Sequence, residues 1–190
     1  MNSIEKARQD LQKLFGKNRF AVMTETAAII TGLMEVHGIT PVVVGGLAVE
    51  IYTRGHYTTL DIDLVTKGRD LAGNILEQLG FSREGRHWYH SELDIAIEIP
   101  DSRLEGADEN KIIKLELPSE KHLYVIGIED IILDRLRACV HWTSSSDCEW
   151  GLRMLKVHFD SLDLDYLRSM AEKDHPKTAQ KLDQWLKETG

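Results

Sequence analysis

The stretch from Pro41 to Thr66, PVVVGGLAVEIYTRGHYTTLDIDLVT, limits the possible folds more than any other part of the chain. Thr40-Pro41 forces an extended entry into Val42-Val43-Val44, a β-branched run suited to a strand buried on both faces. Gly45-Gly46 then breaks the strand, and Leu47 to Arg54 reads as a short helix closed by Gly55. The chain returns through Thr59-Leu60-Asp61-Ile62-Asp63-Leu64-Val65, where apolar and acidic residues alternate. Successive side chains of a strand point to opposite faces, so Asp61 and Asp63 share one face while Leu60, Ile62 and Leu64 take the other. A strand, glycine turn, helix and half-acidic strand need a sheet with helices on its apolar side.

The remainder supplies those partners. Ile4, Ala7, Leu11 and Leu14 fall at helical spacing over about Ser3 to Phe15, with Gly16 as the stop. Met23, Ala27, Ile30 and Met34 make one stripe of a second helix from Ala21 to Val36, ended by Gly38. A helix carrying Leu71, Ile75 and Leu79 follows Lys67-Gly68. Strands are expected over Arg86 to His90, Leu93 to Ile99, Ile113 to Leu117 and Leu123 to Ile126, with a polar surface loop between Pro100 and Asn110. From Glu129 onward the pattern is helical, with Ser146-Asp147-Cys148-Glu149 read as a capping box and Pro176 between the last two helices. The expected architecture is α+β: a mixed sheet of about five strands backed by helices, after N-terminal helices and before a C-terminal helical bundle. The expected division is residues 1–127 and 128–190.

Composition narrows the function classes. A formal charge of −8 argues against a protein built to grip long nucleic acid, which needs clustered Lys and Arg. Cys139 and Cys148 read as reduced thiols of a cytoplasmic protein, because a chain of 190 residues can bury a core without staples. The N-terminal MNSIEKARQD lacks the apolar segment of a signal peptide, and no apolar run is long enough to span a bilayer.

Three elements point to phosphate chemistry. A strand running through Gly45-Gly46 into a helix gathers free backbone N–H groups at the positive end of a helix dipole, a place suited to phosphate. Asp61 and Asp63 repel one another unless a cation lies between them, and Mg²⁺ (or Mn²⁺) prefers such oxygen ligands. A third acid on the Leu93–Ile99 strand, Asp94 or Glu98, shares the same face logic. Among other residues, His87 and His90 flank Trp88-Tyr89 near the presumed mouth, and read as packing or surface groups. Arg135 and Arg137 read as ion-pair partners of nearby acids, and Trp142, Trp150 and Trp185 as anchors of helix packing.

The pattern Val44-Gly45-Gly46-Leu47-Ala48, a short helix, Thr59-Leu60-Asp61-Ile62-Asp63-Leu64 and a later strand acid resembles the nucleotidyltransferase superfamily with the DNA polymerase β-type fold. The resemblance covers about Val42 to Ile99 and is nearest to small bacterial members, the minimal and abortive-infection-type nucleotidyltransferases. It implies that Gly45 and Gly46 contact a nucleoside triphosphate, and that Asp61, Asp63 and Glu98 bind metal and carry catalysis, with Asp94 as the alternative third acid. Glu98 is favoured because it is centred in Ile97-Glu98-Ile99, the apolar-acid-apolar pattern of the family. The implied reaction moves a nucleoside monophosphate to an unidentified acceptor; an antitoxin protein is an implied partner. The alternatives are an inactive member of the fold that binds nucleotide or protein, and a phosphatase with a nucleophilic aspartate. The last needs an apolar strand before the motif, where Thr58-Thr59 stands. Two positions depart from the family: Gly46 replaces a common serine, and Tyr57 stands where many relatives have arginine.

Overall fold

A computed structural model describes residues 3–189. The elements run α1 (Ser3–Gln12), α2 (Arg19–Glu35), β1 (Val42–Val44), α3 (Gly45–Tyr52), β2 (Asp61–Val65), α4 (Arg69–Gln78), β3 (Ser82–Glu84), β4 (His87–His90), β5 (Ile95–Glu98), β6 (Ile113–Glu116) and β7 (His122–Val125). Four helices complete the chain: α5 (Ile128–His141), α6 (Ser145–His158), α7 (Leu164–Asp174) and α8 (Pro176–Thr189).

The sheet has seven strands rather than about five, in the order β3-β4-β5-β2-β1-β7-β6. The strand missing from the sequence reading is β3, whose Ser82, Arg83 and Glu84 are all exposed and carry no alternation. It forms because Gly85, with φ +63°, turns it back onto β4. Strand β1 pairs antiparallel with the central strand β2 and parallel with β7, and β2 pairs parallel with β5. Mixed pairing follows from connectivity: α3 and its loop reverse the chain between β1 and β2, whereas α4 and the β3-β4 hairpin bring it back beside β2 in the same direction.

One face of the sheet is apolar and closed. Val43, Ile62, Leu64, Trp88, Ile95, Ile97, Leu123 and Val125 are buried there, with α2 and α4 packed across them. The expected stripe of α2, Met23, Ala27, Ile30 and Met34, has no exposed surface at all. Asn18 caps that helix, its side-chain oxygen accepting from the Ala21 N–H at 2.9 Å. The opposite face carries Asp61, Asp63, Ala96, Glu98, His87 and Tyr89, all half-buried.

The helices after β7 flank α3. The Tyr52 hydroxyl donates to the Ile126 carbonyl at 2.7 Å, and the His158 ring lies 2.8 Å from the Tyr52 carbonyl, tying α3 to β7 and α6. Trp185 is buried over Gly151, where a Cβ would come within 2.5 Å of its ring, so glycine is required by close approach. The tryptophan expectation holds for Trp185 and fails for Trp142, which stands 79% exposed after α5. The cysteine expectation also fails: Cys139 and Cys148 form a disulfide across the α5-α6 hairpin, with Cα atoms 4.7 Å apart. The short connection folds one helix end against the next, a proximity that cysteine counting does not see. The cap of α6 is Ser144 rather than Ser146, its hydroxyl accepting from the Asp147 N–H at 3.3 Å. Among the described residues no helix is long and apolar enough to cross a membrane.

Candidate active site

The β1-α3 turn is built around an acid. Gly45 has φ +60°, and a Cβ built on it would collide with the Asp63 carboxylate. A Cβ on Gly46 would lie 2.5 Å from the Thr59 hydroxyl oxygen. The two glycines therefore let the start of α3 close onto β2, and each faces a different residue of that strand and its approach.

Strand register places the acids. Val44 pairs with Asp63 on one side, and Asp63 pairs with Glu98 on the other, while Asp61 pairs with Ala96. Asp61, Asp63 and Glu98 thus occupy the same face of neighbouring strands. Asp61 Oδ1 accepts from the Thr59 hydroxyl at 2.8 Å. Asp63 is pushed up to about 6, first by burial, then by the negative charges of Asp61 and Glu98; hydrogen bonding from the Gly46 backbone and the Arg135 charge oppose the rise. Glu98 lies 3.0 Å from His87 Nε2 and 3.2 Å from Arg86 Nε, partners supplied by β4 and the turn before it.

Asp94 stands elsewhere. It precedes β5 rather than belonging to it, with φ +51°, and bonds to Tyr89 and Arg19. The expected alternation from Leu93 breaks at this residue because its left-handed backbone ends the strand face. Glu98 is the acid that the register brings to Asp63.

Several contributors escaped the sequence reading. Arg19, from the start of α2, donates to the carbonyls of Leu60 at 3.2 Å and Asp94 at 2.8 Å, the residues just before β2 and β5. No local pattern reveals a contact with that separation along the chain. Buried Glu50 accepts from the Thr59 N–H at 3.3 Å, and burial raises its pKa. Its helical position beside apolar residues was the available signal. Tyr57, at the atypical position, packs edge-on against Trp150 with ring centroids 5.1 Å apart. Arg135 pairs with Asp147 at 2.7 Å and Arg137 with Asp174 at 3.3 Å, as expected of ion pairs. His90 is buried edge-on against Phe81, whereas His87 belongs to the acid cluster.

The open sheet face beside Asp61 holds a cleft of about 280 Å³ lined by Leu60, Asp61, Glu84, His87, Tyr89 and Ala96. The cleft and the glycine turn lie on opposite sides of β2. The carboxylate set has the hard oxygen chemistry preferred by Mg²⁺ or Mn²⁺. Asp63 gives the fit its physical basis, since a cation offsets both the burial and the neighbouring negative charges that raise it. Among the described residues, no three His, Cys, Asp or Glu side chains already stand in a closed ligating group. Glu98 instead faces Arg86 and His87.

No family model matches the chain, and no curated protein sequence is similar to it. Solved structures are similar in fold. An antigenic nucleotidyltransferase-like protein from Paracoccidioides brasiliensis superposes with TM-score 0.55 at 15% identity, over 88% of this chain and 93% of its own. ANT(2'')-Ia in complex with adenylyl-2''-tobramycin gives TM-score 0.54 at 15% identity, over 82% of this chain and 94% of its own. The solution structure of the antibiotic-resistance factor ANT(2'')-Ia gives 0.50 at 14%, over 74% and 84%. At such identities the likeness is one of fold, and the fold is nucleotidyltransferase-like.

Proposed function

We propose that this protein is a metal-dependent nucleotidyltransferase that moves a nucleoside monophosphate from a nucleoside triphosphate to a hydroxyl of an acceptor, releasing pyrophosphate. The carrying observation is the register that sets Asp63 between Val44, at the glycine turn, and Glu98, with Asp61 on the same face. The nucleotidyltransferase-like fold of the solved neighbours supports it, and one neighbour is seen in complex with adenylyl-2''-tobramycin.

In this reading Asp61 and Asp63 hold Mg²⁺ or Mn²⁺ with Glu98 as the third ligand, and Gly45-Gly46 receives the triphosphate at the start of α3. A divalent cation there supplies charge neutralisation for the phosphates and a lowered pKa for the attacking hydroxyl. Asp63 or Glu98 accepts the acceptor's proton. In-line displacement needs attacking and leaving groups on opposite sides of the phosphorus, so the cleft across β2 from the glycine turn suits the acceptor. For Glu98 to serve as a ligand it exchanges Arg86 and His87 for the cation.

The test is incubation with Mg²⁺, α-labelled triphosphates and cell extract. Label transfer that Asp61→Asn abolishes supports the proposal; equal transfer by the variant overturns it. The acceptor class comes from identifying the labelled product. A toxin role predicts growth arrest on expression, relieved by a co-expressed antitoxin and by Asp61→Asn. The pairing of Glu98 with Arg86 and His87 favours a second reading, a nucleotide-binding module without turnover. Calorimetry and the transfer assay together separate the two: Mg²⁺-dependent triphosphate binding without label transfer selects the module.

A further inference from the structure

We infer that Thr59 is a positioning residue whose hydroxyl aims the Asp61 carboxylate, with Glu50 as its anchor; the inference rests on the metal-site reading above. Thr59 is 8% exposed and touches three residues of the site, Gly46 and Glu50 on α3 and Asp61 on β2. Its hydroxyl donates to Asp61 Oδ1 at 2.8 Å, so one oxygen of that carboxylate is fixed within the chain and the carboxyl plane is held. Its N–H donates to Glu50 Oε2 at 3.3 Å, and Glu50, on α3, is 5% exposed. Its Oγ1 and Cβ lie against Gly46, with room only because that residue lacks a Cβ.

These contacts form one path from the helix to the acid. Glu50 fixes the backbone at Thr59, and the threonine side chain, wedged on Gly46, then fixes Asp61. Without the hydroxyl, Asp61 loses the only side-chain hydrogen bond it makes among the described residues. A half-buried carboxylate freed in this way samples other rotamers, and a cation then bears the ordering cost on binding. A competing account gives Thr59 only the task of filling space over Gly46. The two accounts differ in which atom matters. Threonine to valine keeps the shape and deletes the hydroxyl; threonine to serine keeps the hydroxyl and deletes a methyl.

Mn²⁺ binding to the intact protein, followed by electron paramagnetic resonance, reads the difference without any acceptor. With thermal midpoints confirming folding, Thr59→Val is expected to weaken Mn²⁺ binding about tenfold, the effect of losing one hydrogen bond to a charged group. Thr59→Ser is expected to stay within about twofold of the unsubstituted protein, which marks the hydroxyl itself as the active part. The same valine change in an Asp61→Asn background is expected to do little more, since Thr59 acts through Asp61. Equal Mn²⁺ binding by the valine and serine variants, or a serine variant as weak as valine, overturns the inference. Should Thr59→Val not fold, Thr59→Ala removes the hydroxyl and carries the same comparison. Unsubstituted protein that binds no Mn²⁺ overturns the metal-site reading itself and this inference with it. Normal binding that is insensitive to Thr59 overturns only this one.

Discussion

Asp63 should make the metal-free protein less stable than it could be, and Asp63→Asn should reveal by how much. Its pKa rises from 3.8 to about 6 in the fold. A rise of about 2 units at about 1.4 kcal/mol each is roughly 3 kcal/mol held against ionised Asp63; partial exposure reduces the expected gain to about 1–3 kcal/mol. The direction follows from linkage. Below the unfolded pKa the carboxyl is protonated in both states and costs nothing. As pH rises through the folded value it ionises beside Asp61 and Glu98, and that stability is lost. With chelator at pH 8, Asp63→Asn should therefore melt about 2–12 °C above the unsubstituted protein, using about 2–4 °C per kcal/mol for a chain of this size. At pH 4 the difference should shrink to near zero. Mg²⁺ should raise the melting temperature of the unsubstituted protein and leave the variant unmoved. Thermal denaturation by circular dichroism measures all three. A variant less stable than its parent at pH 8, or a gain that persists unchanged at pH 4, would refute the electrostatic reasoning.

Three further outcomes are expected. Gly45→Ala places a Cβ against the Asp63 carboxylate at a positive φ, so it should cost at least about 1–2 kcal/mol in urea unfolding and abolish Mg²⁺-dependent stabilisation. Arg19→Met removes the donors to the Leu60 and Asp94 carbonyls, and should lower stability by on the order of 1 kcal/mol while raising hydrogen exchange at the starts of β2 and β5. Replacing Cys139 and Cys148 by serine should lower stability by about 2–3 kcal/mol, the loop-closure value for a short cross-link, and mass spectrometry under non-reducing conditions should show the native protein two hydrogens lighter than its reduced form.

What could be read from the residues was what repeats locally. Alternation exposed Asp61 and Asp63, glycine chemistry exposed the turn, and helical spacing exposed the Met23–Met34 stripe. What could not be read depended on pairing at a distance. The expectation left Asp94 and Glu98 as alternatives on the residues alone, because both alternate with apolar neighbours. The left-handed backbone at Asp94 and the β2-β5 register separate them. Strand β3 escaped notice because a fully exposed edge has no apolar face to mark it. The disulfide escaped notice because the α5-α6 hairpin geometry, and not the cysteine count, brings its sulfurs together. Arg19 reaches the site only through the packing of α2, and no spacing rule records such a contact.

The position of β1 between β2 and β7 has a consequence for synthesis. Every acid of the candidate site, and the glycine turn, leaves the ribosome before His122–Val125 does. Until β7 arrives, Val42–Val44 presents an open apolar edge to solvent or to a chaperone, the kind of edge that recruits other strands. Parallel pairing of β1 with β7 closes that edge across the intervening chain, a slow non-local step. A nascent chain stalled after Glu98 thus carries all the candidate chemistry and lacks the strand that shields its centre, so ribosome-bound intermediates of that length should be the aggregation-prone ones.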